Sequence, residues 1–309
     1  MKNVKKDMVI GIDHGYGYMK TAHSIMKSGV KELPVEPPFS HNIIELEGKY
    51  YAVGQYIQKH RAVKTDTQDY YILTLAAISE ELKRQPNLKC AEIVIAAGLP
   101  YSYFSSQKNE FKKYLLQNNT IKYKYEGILY EVAIKDAYVF PQGFPIIAQE
   151  LEAMKGRVCV VDVGSGTLDI LTFQDSQAQH EGCFSVNGGI NYCVEQIQKE
   201  FLAKYQTEPG EDMIQDYLRG IQNSSIDKEY YRFMDQMVKF YVANNIFGEL
   251  SAKGINLAFT SMVICGGGTS LVKRYGQGIY LPQSTRFIEN IHANAQGYEY
   301  LCKGILNGR

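Results

Sequence analysis

Apolar residues along the chain fall into short unbroken runs closed by glycine or proline, alternating with longer stretches of helical period. Strand-length runs interleaved with helical segments are the pattern of an α/β protein. In the first half, Met8–Ile12 reads as a buried strand that enters the turn-rich Asp13-His14-Gly15-Tyr16-Gly17, and Tyr18–Ser24 reads as its return strand. Pro34, Pro37 and Pro38 mark Lys31–Ser40 as a loop. A small hairpin is expected over Ile43–Val53, turning at Glu47-Gly48, then a helix from Thr67 to Gln85. Glu92–Ala97 is a β-branched strand stopped by Gly98-Leu99-Pro100. Ser105–Gln117 has helical spacing, and Ile121–Tyr125 with Ile128–Ala133 forms a hairpin around Glu126-Gly127.

The second half opens with a predicted helix, Pro145–Lys155, ended by Gly156. Arg157–Val163 is apolar almost throughout and turns through Gly164-Ser165-Gly166 into Thr167–Phe173. Helices are predicted over Ile190–Tyr205, Glu211–Gly220 and Lys228–Lys253. Ser261–Cys265 is a short strand running into Gly266-Gly267-Gly268, with a helix starting after it, and Ala293–Gly304 is the last helix.

The two halves share a motif. An apolar strand followed by D-x-G-x-G occurs at Asp13, Gly15 and Gly17 and again at Asp162, Gly164 and Gly166, at a constant offset of 149 residues. That offset is about half of 309 residues, so the pattern reads as one supersecondary unit duplicated, its two turns facing each other across a cleft. One such motif is also the sequence of an ordinary β-turn; two at half-chain spacing, both behind apolar strands, are harder to explain that way. Glycine lets a backbone turn tightly and bring its N–H groups against phosphate oxygens. An aspartate at the strand end sits where a hydrated magnesium ion would lie. The turns run into strands, and neither G-x-x-x-x-G-K-[ST] nor strand–G-x-G-x-x-G–helix is present, which argues against the two commonest nucleotide folds. The third glycine turn, Gly266–Gly268, can present bare backbone to a base and sugar.

IDHGYGYMK, VVDVGSGTLDI and VICGGGTSL, in that order, resemble the phosphate-1, phosphate-2 and adenosine motifs of the ATPase superfamily of actin, heat-shock chaperones and sugar kinases. The chain looks most like the prokaryotic actin-like ATPases of the plasmid-segregation (ParM-like) type. The resemblance implies an α/β, actin-like (ribonuclease H-like duplicated) two-domain fold with a nucleotide cleft between the halves. Domain I would span 1–156, with an insertion over about 31–85 and the C-terminal helix 291–309 packing back on it. Domain II would span 157–290, with an insertion over about 191–255. Ala293-Asn294-Ala295-Gln296-Gly297 resembles the second connecting segment.

Carried over position by position, the resemblance implies that Asp13 holds a magnesium-bound water and that Gly15, Tyr16 and Gly17 contact phosphates. Lys20 would neutralise phosphate charge, and Asp162 would orient water or metal. Gly164, Ser165, Gly166 and Thr167 would wrap the β- and γ-phosphates, Gly188 and Gly189 would lie near the ribose, and Gly266, Gly267 and Gly268 would border the adenosine. Gln142 stands where the family places the residue that orients the attacking water. Many plasmid relatives carry glutamate there; a glutamine cannot act as a general base but can hold water in line, which implies slow hydrolysis. His14, inside the first turn, is expected either at the nucleotide or exposed to solvent. The implied activity is hydrolysis of ATP (or GTP) with Mg2+, coupled to self-assembly into filaments that move plasmid DNA through a DNA-binding, ParR-like adaptor. A small-molecule kinase of the same superfold and a non-polymerising nucleotide-binding scaffold are the alternatives.

Composition changes this picture little. Lys plus Arg (33) balance Asp plus Glu (33), so no basic field exists to grip nucleic acid or an anionic membrane directly. The six cysteines include no C-x-x-C pair and read as reduced, mostly buried thiols of a cytoplasmic protein. No run approaches the ~18 apolar residues of a membrane span. The six histidines have no metal-ligand spacing. The 24 tyrosines, several in pairs, suit subunit contacts as well as ordinary packing.

Overall fold

A computed structural model describes residues 6–57, 63–85, 87–148, 150 and 154–308. The chain divides into two compact units, Met1–Gln149 with Ile291–Arg309, and Glu150–Asn290.

The first unit is organised by its strands: β1 (Lys6–His14), β2 (Tyr18–Lys20), β3 (Ile25–Leu33), β4 (Ile43–Leu46), β5 (Lys49–Gly54), β6 (Cys90–Leu99), β7 (Thr120–Tyr125) and β8 (Ile128–Pro141). They pair in the order β1-β2-β3-β5-β4-β7-β8-β6, and β6 pairs back onto β1 in parallel, so the sheet closes into a ring. Helix α1 (Asp69–Lys83) is buried on nearly every face, from Tyr70 to Leu82. A helix apolar all round has to sit inside a core, and α1 shares one cluster with Ile10 and Ile12 of β1, Ile44 of β4, Val53 of β5 and Ile93 of β6. The segment expected as a small insertion thus builds the same core as the first strand. Helix α2 (Tyr101–Leu115) starts directly after Pro100, four residues before its predicted start, because proline suits the entry to a first turn.

Helix α3 covers Phe144–Ile147; residues 149 and 151–153 of the helix predicted over Pro145–Lys155 lie outside the described residues. The sequence reading also missed β3, whose outer positions Lys31 and Glu32 are exposed and hide its alternation, and it stopped β8 at Ala133 instead of Pro141.

The second unit holds a sheet in the order β11-β10-β9-β13-β14, with β12 also on β10. Its strands are β9 (Arg157–Val163), β10 (Thr167–Gln174), β11 (Gln177–Ala178), β12 (Phe184–Asn187), β13 (Ser261–Cys265) and β14 (Arg286–Phe287). Its helices are α4 (Ile190–Tyr205), α5 (Glu211–Leu218), α6 (Lys228–Tyr241), α7 (Gly248–Ala252) and α8 (Thr269–Gly276). The single helix predicted over Lys228–Lys253 is interrupted by a π-helical turn at Val242–Phe247 that separates α6 from α7. Every second buried side chain of the sheet's β9 face, Cys159, Val161 and Val163, joins the core with Val194, Ile197, Met234 and Val238 from the helices.

The duplication read from the sequence is present in the topology. In the first unit an antiparallel hairpin, β1–β2, has the parallel strand β6 on the other side of β1. In the second, the antiparallel hairpin β9–β10 has the parallel strand β13 on the other side of β9. The last helix, α9 (Ala293–Leu306), belongs to the first unit and lies on β1 and β6. Glycine makes that approach possible: a Cβ on Gly11 would overlap the Ala295 carbonyl, and one on Gly98 would overlap the Tyr298 hydroxyl.

Candidate functional site: two glycine turns

In the first unit, β1 carries Asp13 and His14 to its very end, and β2 returns after Gly17. Asp13 stands directly opposite Lys20 in the hairpin register, and Lys20 Nζ lies 3.0 Å from Asp13 Oδ2. The other carboxylate oxygen, Oδ1, accepts a hydrogen bond from Gln142 Nε2 at 3.2 Å. Burial pushes the Asp13 carboxyl up, but the charge and hydrogen bond of Lys20, with the charge of Lys64, hold it below the ordinary carboxylate value. Gln142 follows the end of β8, where its own N–H donates to Leu99 O at 2.9 Å. The next residue, Gly143, takes a φ of +79° and donates its N–H to Asn294 Oδ1 at 3.1 Å, so α9 fixes the loop that carries Gln142.

His14 is fully buried, which excludes the solvent-exposed alternative. Its Nε2 lies 2.9 Å from Thr74 Oγ1 of α1, and its ring meets Phe111 edge-on at 5.1 Å. Burial, then the charge of Lys64, brings its pKa down to about 3, so it is a neutral imidazole. Tyr16 is also buried, with its ring under Lys64 Nζ at 4.9 Å.

In the second unit the turn is held from behind. Gly188 and Gly189 N–H donate to Gly166 O, Ile190 N–H to Gly164 O, and Asn191 N–H to Ser165 O, at 2.8–3.3 Å. In a trans peptide the N–H points opposite to the C=O. With the carbonyls of Gly164, Ser165 and Gly166 tied to the start of α4, the N–H groups of Ser165, Gly166 and Thr167 point away from that helix. Gly188 and Gly189 are therefore braces of this turn, and Tyr241 holds Gly188 O in place with a 2.7 Å bond from its hydroxyl. Gly266 (φ +87°) and Gly268 lie so close to the end of β9 that a Cβ on either would overlap Asp162 or Val163, whereas Gly267 faces open space.

Asp162 sits directly opposite Asp169 in the hairpin register, the position that Lys20 fills in the first unit. Asp169 accepts hydrogen bonds from Thr167 Oγ1 at 2.9 Å and Ser185 Oγ at 2.5 Å. The sequence reading stopped the repeat at Gly166; carried three residues further, the same offset pairs Lys20 with Asp169 and would have found it. Lys64 had no such signal, because nothing in His60-Arg61-Ala62-Val63-Lys64 marks it as buried. Among the described residues, no group of three or more His, Cys, Asp or Glu side chains could hold a metal by itself, and no helix is long and apolar enough to cross a membrane.

Residues 11–144 match the family model for the N-terminal domain of actin-like proteins, and residues 160–275 match that for the C-terminal domain of archaeal MreB-like actin homologues. Among solved structures, the chain is similar to the archaeal actin homolog Ta0583, at 22% identity and a TM-score of 0.76 over 96% of this chain and 99% of that one. A 15-stranded ParM filament from Clostridium botulinum matches at 20% identity and 0.74, over 97% and 99% of the two chains. The apo ParM protein of pSK41 matches at 17% and 0.69, over 98% and 99%. Ta0583 has also been solved in complex with ADP. No curated protein matches the chain in sequence.

Proposed function

We propose that this chain, which belongs to the prokaryotic actin-like proteins, is an ATP hydrolase that polymerises with bound triphosphate and disassembles after hydrolysis. The observation that carries the reading is the repeated hairpin, with an aspartate at each strand end and a glycine turn after it. In the second turn the peptide N–H groups are aimed by bonds from behind, as anion recognition requires.

Gln142 is the water-orienting residue in this reading. Its amide N–H is committed to Asp13, which leaves the amide oxygen to accept a hydrogen bond from a water. An amide positions water without abstracting its proton, so turnover is slow. The acidic groups fit a magnesium ion. Asp162 and Asp169 are like charges directly opposite on a hairpin, an unfavourable pair, and Asp169 is already satisfied by two hydroxyls. A magnesium ion held through water by Asp162 would offset that repulsion and neutralise phosphate charge. ATP is the favoured nucleotide, with GTP the alternative.

Self-assembly draws support from exposed apolar side chains in each unit: Phe39 (80% exposed) and Val35 in the first, Phe259 (82%) and Ile279 in the second. Exposed apolar side chains of unlike kind on one chain suit head-to-tail contacts that repeat into a filament. The cellular role we assign is plasmid DNA segregation in the cytoplasm, with a ParR-like adaptor making the DNA contact that a net charge of zero disfavours.

Right-angle light scattering at micromolar protein, with Mg-ATP against Mg-ADP, tests the reading. A rise with ATP that decays as phosphate is released is expected. A flat trace with proven nucleotide binding would remove the filament and leave the kinase and the scaffold.

A further inference from the structure

Lys64 is one of the most deeply buried side chains in the protein, at 2% exposure. An ammonium is rarely left inside a core unless its charge is answered. Here it lies behind the first glycine turn. Its Nζ donates to the carbonyl oxygen of His14, and it sits 4.9 Å from the ring centre of Tyr16 and 5.5 Å from that of Tyr70. Aromatic faces at this range stabilise a cation. His14 and Tyr16 belong to the turn, while Tyr70 belongs to α1. The ammonium is therefore a clasp joining the turn to the central helix.

The duplicated hairpin supplies an internal comparison. The residue 149 positions after His14 is Val163, and its carbonyl accepts from the backbone N–H of Gly268 at 3.0 Å. The second unit thus holds the equivalent carbonyl with a neutral peptide group; the first uses a buried cation. The same asymmetry recurs across each hairpin, where Lys20 in one unit stands in the place of Asp169 in the other. Around the first turn the charges are Asp13, Lys20 and Lys64, with His14 neutral, a net positive setting. Around the second they are Asp162 and Asp169, a negative one.

We propose that Lys64 is a positioning residue for phosphate recognition: by holding the His14 carbonyl it aims the Gly15 N–H to the opposite side of the turn, and its charge favours ligands in proportion to their phosphates. The first step follows from peptide planarity, since His14 C=O and Gly15 N–H share one trans unit. A hydrogen bond to a cation also polarises that peptide and strengthens its N–H as a donor. The inference rests on the first turn being a phosphate turn, as proposed above.

The test compares wild type with Lys64→Met, which keeps the volume and loses charge and donor, and with Lys64→Gln, which keeps a neutral donor. Dissociation constants for ATP, ADP and adenosine are measured by calorimetry on the full chain, with thermal melts to establish folding. A charge acting at a few ångströms' remove predicts roughly tenfold weaker ATP binding in Lys64→Met, a smaller loss for ADP, and adenosine within about twofold of wild type. Lys64→Gln is expected to lose the charge dependence as well, and it carries the test if the methionine variant does not fold. Equal losses for all three ligands, or no loss, would overturn the role of Lys64 while leaving nucleotide binding intact. A wild-type chain that binds none of the three would instead overturn the proposed function.

Discussion

Lys20 and Asp169 occupy equivalent positions in two copies of one hairpin, each directly across from an aspartate, and they carry opposite charge. Lys20 therefore forms an ion pair with Asp13 at 3.0 Å, whereas Asp169 faces Asp162 and is held by the hydroxyls of Thr167 and Ser185. The duplicated frame has been kept while its electrostatics have been divided, with cations gathered at one turn and carboxylates at the other.

Removing Lys20 leaves a buried carboxylate without its nearest cation. Lys20→Met is expected to lower unfolding free energy by about 3 kcal/mol at pH 7, the low end for breaking a buried pair. Because the folded carboxyl of Asp13 lies below the ordinary 3.8, its contribution is complete above about pH 4 and is lost as pH falls through the folded value. Urea titrations of both proteins at pH 7 and pH 3 check this: the difference should shrink at the lower pH.

His14 makes a prediction of the same kind at milder pH. Its pKa is about 3 folded against 6.5 ordinarily, so in that window the unfolded chain binds a proton that the folded one does not. Stability then falls as pH drops below about 6.5, by up to ~1.4 kcal/mol per pH unit from this group. His14→Asn should flatten the pH dependence of stability measured at pH 7, 6 and 5, whatever its effect at pH 7. Parallel slopes in the two proteins would contradict a neutral buried imidazole.

For Gln142, whose amide is anchored on Asp13, truncation to alanine should leave triphosphate affinity near wild type and slow phosphate release by on the order of 10²-fold. The scattering signal would then persist long after the wild-type signal decays. Unchanged phosphate release would place the attacking water elsewhere.

Five of the six cysteines are buried, and burial pushes the thiol of Cys193 up to about 12 and that of Cys302 to about 11. Cys90, half-buried in β6, is the accessible one. A chromogenic disulfide reagent should titrate one thiol per folded chain and six after denaturation, and Cys90→Ser should remove the native reaction.

Much of this was legible in the sequence because it is local. Unbroken apolar runs mark β1, β6, β9 and β13 within a few residues, and the constant offset alone exposes the duplication. What escaped was set by long-range packing. Strand β3 alternates weakly because Ser28 and Gly29 are buried side by side and Lys31 and Glu32 exposed side by side, and Lys64 looks like a solvated lysine until α1 and the turn close over it. Asn294 and Gly143 are 151 residues apart, and no short-range pattern announces their bond. The support that the Gly188 and Gly189 N–H groups give the Gly166 carbonyl likewise joins segments about 22 residues apart, which no short-range pattern announces.

The ring formed by β1 to β8 has a consequence for how chains can join. An open sheet ends in a row of unpaired N–H and C=O groups, and such a border invites strand-by-strand growth into nearly irreversible cross-β fibres. Here every strand of the first unit's sheet has a neighbour on both sides. In the proposed filament, growth through this unit would therefore leave the strand ladder intact, and contacts made outside such a ladder are the kind that a small change in the bound nucleotide can undo.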